Sequence, residues 1–165
     1  MDILNHWLSG ASFEGESTRT SPVYNPARGT VQKEVRLATV GDVDAAVAAA
    51  KAAFPKWAET SLAKRQTVIF RFRELLNERK EDLARILTAE HGKVLSDAMG
   101  EIARGLEVVE FAAGIPHLMK GEYSENVSTG VDVYTTREPL GVVGISSPFN
   151  GPAMVPLWFC PIAIA

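Results

Sequence analysis

Residues 140–145 (LGVVGI) form a short, uniformly apolar run, and the loop Ser146-Ser147-Pro148-Phe149-Asn150 separates it from the almost wholly apolar stretch 154–165 (MVPLWFCPIAIA). A strand buried on both faces of a parallel sheet has that uniform signature, and a strand, a loop and an apolar helix in this order open a doubly wound α/β domain. The ligand crevice of such a domain lies at the carboxyl ends of its strands, which makes residues 146–150 the candidate site. The apolar tail is too short to cross a bilayer, which takes about 20 apolar residues, and Pro156 and Pro161 interrupt it. It stops without a polar residue, a glycine cap or a charged end, and so reads as a buried helix whose continuation is missing.

Upstream the period is helical. Residues 1–38 carry turn signals and short extended runs: Asn25-Pro26-Ala27-Arg28-Gly29 reads as a turn, and residues 30–37 alternate Val31, Val35 and Leu37 with charged residues as a half-exposed strand does. Thr39 followed by Asp42 resembles a capping box, and Val43, Ala46, Val47, Ala50 and Phe54 recur on one face of a helix that Pro55 is expected to end. The spacing predicts a second helix over 62–78 with Val68, Ile69, Phe72, Leu75 and Leu76 inward, and a third over 80–91 closed by Gly92. A fourth runs from Val94 to Ala113 before Gly114 and Pro116 break the pattern. Residues 121–130 are polar and predicted as a loop, and 131–137 alternate as a strand with one wet face.

Composition narrows the partners. With 165 residues, 46% hydrophobic and 22% charged, the chain can bury a sizeable core. A net charge of -3 gives no broad basic face, which points away from nucleic acid and anionic membrane and toward a small molecule or a protein. The single cysteine, Cys160, excludes an intrachain disulfide and fits a reducing compartment. The first residues resemble neither a secretory signal nor an Arg-rich transit peptide, so a cytoplasmic location is expected. Flanked by Trp158, Phe159 and Pro161 with no neighbouring base, Cys160 reads as a buried structural thiol. His6, His91 and His117 are scattered, which offers no metal site, and Glu90 with Lys93 reads as a solvated helix pair.

Pro148-Phe149-Asn150 after Gly141-Val142-Val143-Gly144 resembles the aldehyde dehydrogenase motif that places an asparagine at the active-site entrance. Tyr24-Asn25-Pro26-Ala27-Arg28-Gly29-Thr30-Val31, Glu90-His91-Gly92-Lys93 and residues 104–114 (RGLEVVEFAAG) extend the resemblance over nearly the whole chain in the family's order. Residues 104–121 are more similar to the CoA-acylating methylmalonate-semialdehyde branch than to the general enzymes. The resemblance implies the N-terminal portion of a Rossmann-like NAD-binding domain, with residues 122–139 as a strand segment for oligomerisation and the catalytic domain absent. It implies NAD as cofactor, CoA as co-substrate, a small semialdehyde as substrate and a dimeric or tetrameric full-length form. In the family a cysteine thiolate attacks the aldehyde, hydride passes to NAD, and the acyl group leaves on CoA, with loss of carbon dioxide for methylmalonate semialdehyde. That cysteine is not among these residues, so the chain as given is expected to be inactive. The competing reading is a non-catalytic remnant or an interaction module of the same family. One departure is Gly151, where the family commonly has Phe.

By the same resemblance, Asn150 is the candidate catalytic residue: a neutral amide can donate an N–H to the oxyanion that forms when a thiolate adds to a carbonyl. Its local alternative is a turn or helix N-cap, with Pro152 in the first turn. Ser147 and Phe149 match positions that contact NAD, or else they fill the loop. Arg104 matches a site for the substrate carboxylate, since its planar fork suits one; the alternative is an ion pair with Glu101, Glu107 or Glu110.

Overall fold

The short strands gather at the amino-terminal end of the computed structural model, which describes residues 2–165. β1 (Ile3–Leu4) runs parallel to β5 (Thr30–Arg36), and β4 (Thr20–Asn25) pairs antiparallel with the other edge of β5, giving the order β1-β5-β4. The turn between β4 and β5 is the expected one: the Asn25 carboxamide oxygen accepts from the amides of Ala27 and Arg28 at 3.1 and 3.2 Å, and Gly29 takes a φ of 66°. β2 (His6–Leu8) and β3 (Ala11–Phe13) form a separate hairpin.

Four long helices follow: α1 (Val40–Ala58), α2 (Leu62–Glu78), α3 (Lys80–His91) and α4 (Leu95–Ala112). The capping box at Thr39 and Asp42 is formed in both directions, and Gly92 closes α3 at a φ of 88°. Pro55 does not end α1 as expected. A proline removes only its own N–H, and its carbonyl still accepts from Glu59 at 3.1 Å, so the helix continues to Ala58 and stops at the Thr60–Ser61 cap of α2.

The core is built where α2, α3 and α4 meet. Ile69 and Leu76 of α2, Ala84 and Leu87 of α3, and Ala98, Ile102, Val109 and Ala112 of α4 are buried together, with Ile115 from the short α5 (Ile115–Leu118). Fully burying a side chain such as Ile102 or Val109 is worth about 1.5–3 kcal/mol. α6 (Met154–Ile164) lies on α4 at Gly105, where an added Cβ would fall 2.6 Å from Leu157 Cδ1. Its last carbonyls are held from α1 and α2, by Trp57 Nε1 to Ile164 at 2.7 Å and by Arg65 to Ala165 at 2.5 Å.

Several expected faces stay open. Val68 and Phe72 of α2 are exposed, because only the Ile69–Leu76 side of the helix meets α4. The apolar face of α1 forms as spaced, yet Val43, Ala46, Val47 and Ala50 line an open groove of about 440 Å³ with the β2–β3 hairpin, Val142 and Val143. Residues 140–145 are not a buried strand: they pair with nothing among the described residues, and Leu140 is 95% exposed. Residues 121–130, expected as a loop, contain β6 (Tyr123–Ser128), which pairs antiparallel with β7 (Val131–Tyr134). β7 is shorter than expected and exposed on both faces. Cys160 is half-buried rather than enclosed. No helix is long and apolar enough to cross a membrane among the described residues.

Candidate active site

Three elements converge on the loop before α6. Gly92, in its left-handed conformation, ends α3 and turns the chain so that Lys93 projects from the α3–α4 connection. On α4, Glu101 lies in the buried stripe with Ala98, Ile102 and Gly105, its side chain only 6% exposed. Lys93 Nζ donates to Glu101 Oε2 in a tight ion pair and to the Asn150 carbonyl at 3.3 Å. The other carboxylate oxygen, Glu101 Oε1, accepts from the amides of Ala153 and Met154 at 2.8 and 3.0 Å.

A helix start leaves its first amides without partners and carries partial positive charge, so an incoming carboxylate satisfies both conditions. α6 has no side-chain cap of its own at Ala153; the cap comes from α4. Burial opposes the charged form of Glu101 most strongly of the single influences. Hydrogen bonds from Lys93, Met154 and Ala153, with the Lys93 charge, outweigh it and hold the carboxyl below the ordinary glutamate range.

This arrangement decides the local alternative for Asn150. The residue is exposed in the loop and is not the cap of α6, and its carboxamide makes no hydrogen bond among the described residues. Ser147 and Phe149 are exposed in the same loop, and the Phe149 ring leans on His91 with centroids 5.2 Å apart and planes tilted by 43°. Gly151 is buried under α6: a Cβ there would meet Met154 Cε at 3.2 Å and Val155 Cγ2 at 3.5 Å, so glycine lets those side chains close over the turn. Arg104 is exposed on α4, one turn beyond Glu101. Its ion-pair alternative is not formed: Glu101 pairs with Lys93, Glu110 pairs with Arg73 at 2.6 Å, and Arg104 has no acidic partner among the described residues. The large groove beside α1 is lined by none of residues 146–151.

The structure thus places Ser147, Phe149 and Asn150 in one exposed loop and Arg104 on the exposed side of α4. Sequence reading missed Lys93 and Glu101, having paired Lys93 with Glu90. The available signal was a glutamate on the apolar stripe of α4, since a charge there has to have a partner.

The described residues form a mixed α/β chain in which an exposed loop leads into the apolar helix α6. The aldehyde dehydrogenase family model matches residues 13–165, and the chain belongs to that family. It is 45% identical over 163 residues to malonate-semialdehyde dehydrogenase 2 of Bacillus thuringiensis (strain Al Hakam), covering 99% of this chain and 34% of the relative. It is 46% identical over its whole length to malonate-semialdehyde dehydrogenase 1 of Geobacillus thermodenitrificans (strain NG80-2), again covering 34% of that protein. Among solved structures, it matches one from Sinorhizobium meliloti 1021, assigned to methylmalonate-semialdehyde dehydrogenase and complexed with NAD. That match has a TM-score of 0.95 and 47% identity over 99% of this chain and 33% of the other. Methylmalonate-semialdehyde dehydrogenase from Oceanimonas doudoroffii matches equally, with a TM-score of 0.95, 46% identity and the same shares of the two chains. The chain therefore spans about a third of the length of its relatives and has the Rossmann-like N-terminal fold of the family over that third.

Proposed function

We propose that this chain is the N-terminal portion of an NAD-dependent, CoA-acylating malonate- or methylmalonate-semialdehyde dehydrogenase, to which it contributes the oxyanion donor Asn150. The observation that carries the reading is the division of labour at α6: Glu101 takes the helix amides, and the Asn150 carboxamide is left free on the exposed loop. The semialdehyde class is supported by the 45% and 46% identities to malonate-semialdehyde dehydrogenases.

In this reading a cysteine thiolate from the remaining polypeptide adds to the aldehyde carbon. The carbonyl oxygen gains negative charge as it does so, and the Asn150 N–H donates to it without titrating. NAD supplies the acceptor for the hydride that leaves the same carbon. Ser147 and Phe149 suit its nicotinamide end, since an unengaged hydroxyl and a 61% exposed ring stand beside Asn150 in one loop. The unpaired guanidinium of Arg104 takes the substrate carboxylate. CoA then removes the acyl group from the cysteine, with release of carbon dioxide when the acid is malonate or methylmalonate. Cys160, within an apolar helix and without a hydrogen-bond partner among the described residues, is not the nucleophile. The β6–β7 hairpin, open on both faces, and the surrounding residues 122–139 serve subunit contact in a cytoplasmic homo-oligomer.

The test is a full-length polypeptide in which residues 1–165 precede the remaining two thirds of the Geobacillus thermodenitrificans relative. It is expected to form NADH from malonate or methylmalonate semialdehyde in the presence of CoA, whereas residues 1–165 alone form none. Arg104→Leu in that polypeptide should weaken use of either semialdehyde while sparing propanal. Parallel loss on propanal would make Arg104 structural, and NADH formation by residues 1–165 alone, abolished by Cys160→Ser, would overturn the reading.

A further inference from the structure

We propose that Lys93 and Glu101 are positioning residues for Asn150, a buried ion pair that pins residues 149–154 to the helical core and so fixes where the Asn150 carboxamide points. The inference rests on the oxyanion role proposed for Asn150.

Both ends of the loop's last turn are held by this one pair. Lys93 grips the Asn150 carbonyl at 3.3 Å, and Glu101 grips the amides of Ala153 and Met154 at 2.8 and 3.0 Å. Both side chains are withdrawn from solvent, at 15% and 6% exposure. An ordinary cap would come from Ser, Thr, Asp or Asn at the helix start. Here it comes from a carboxylate 52 residues away in sequence, on the helix at the centre of the core, and its counter-ion bonds the backbone of the candidate catalytic residue. A buried ion pair is a poor source of net stability, and in some proteins it serves instead to specify a single geometry. An oxyanion donor needs that, because it has to be aimed before charge develops. Phe149, resting on His91 two residues before Lys93, anchors the loop from the same side.

In the full-length polypeptide, Glu101→Gln and Lys93→Met should each lower kcat about tenfold to a hundredfold while leaving KM for NAD within about threefold, as expected of a displaced catalytic group. Lys93→Arg, which keeps the cation, should recover most of the loss. Glu101→Gln is the milder variant, since its amide oxygen can accept from both helix amides as Glu101 Oε1 does, while its NH2 faces Lys93. Glu101→Leu removes the acceptor, and amide exchange in that variant supplies a readout independent of activity. Ala153 and Met154 should exchange about tenfold faster in Glu101→Leu. In an Asn150→Ala background the kcat cost of either substitution should shrink below about threefold, because the group being aimed is gone. An equal cost in both backgrounds, or unchanged exchange at Ala153 and Met154 in Glu101→Leu, would overturn the proposal. Failure of the oxyanion role is distinguishable, as it shows in Asn150→Ala alone turning over normally; faster exchange in Glu101→Leu would then still support the pinning.

Discussion

The α2–α3–α4 core with α6 and the segment 121–150 both carry large apolar side chains, yet one is packed and the other lies open. The helices satisfy their own backbone hydrogen bonds, so Ile69, Leu87, Ile102 and Val109 need only one another to become buried. Residues 140–145 and the β6–β7 hairpin need neighbouring strands for backbone and side chains alike, and among the described residues those neighbours are missing. The site sits on the seam between the two regions, its loop belonging to the open one and Lys93 and Glu101 to the packed one. Among the described residues the loop before α6 is therefore held from the helical side, by Lys93 and Glu101.

The largest break of this contrast is expected at Gly105. Gly105→Leu would drive a side chain into Leu157, whose Cδ1 and Cβ lie 2.6 and 2.9 Å from the added Cβ. Overpacking of this kind costs about 1–3 kcal/mol, so the full-length protein should melt several degrees lower. Acid should act next, through Glu101. Its folded carboxyl titrates below the ordinary glutamate range, so its contribution to stability is complete above that range and is lost as pH falls through the folded value. The wild-type melting temperature should drop as pH falls below about 4, and Glu101→Gln should flatten that limb. Thr39→Ala, which removes one half of the α1 capping box, should cost about 1 kcal/mol by denaturant unfolding. In the open region, Tyr134→Ser should leave the stability of residues 1–165 alone within about 0.5 kcal/mol, because the residue is 74% exposed and its strand contributes nothing to the core. A large drop there would mean that the two regions are more tightly coupled than the packing indicates.

What could be read in the sequence follows the same division. The bounds of α2 and α3, the Thr39–Asp42 box and the Gly92 terminator are set by residues within a few positions of one another, and all form as expected. Pro55 misled because the rule that proline stops a helix concerns one lost N–H, whereas α1 had the following turn to continue it. The strand at 140–145 was inferred from apolarity alone, a pattern that promises burial only when partners exist. The Lys93–Glu101 pair was hidden because its members are eight residues apart across a glycine turn, while a nearer glutamate offered a plausible mate. Asn150 could be singled out only through its resemblance to a family motif; its own neighbourhood favoured a helix cap, which the structure gives to Glu101 instead.

The central claim is that the Asn150 carboxamide is reserved for chemistry because the cap is supplied from elsewhere, and Asn150→Ala in the full-length polypeptide tests it most directly. The measurement is kcat under conditions where chemistry limits turnover, alongside NAD affinity and melting temperature. Loss of one oxyanion donor should lower kcat about a hundredfold to a thousandfold, roughly 3–4 kcal/mol, because the bond is made in the transition state and hardly in the ground state. NAD affinity and melting temperature should be nearly unchanged, since no hydrogen bond of the carboxamide is broken in the resting structure. A variant that melts earlier by the roughly 1 kcal/mol of a lost cap, yet turns over normally, would contradict the account and return Asn150 to the backbone of α6.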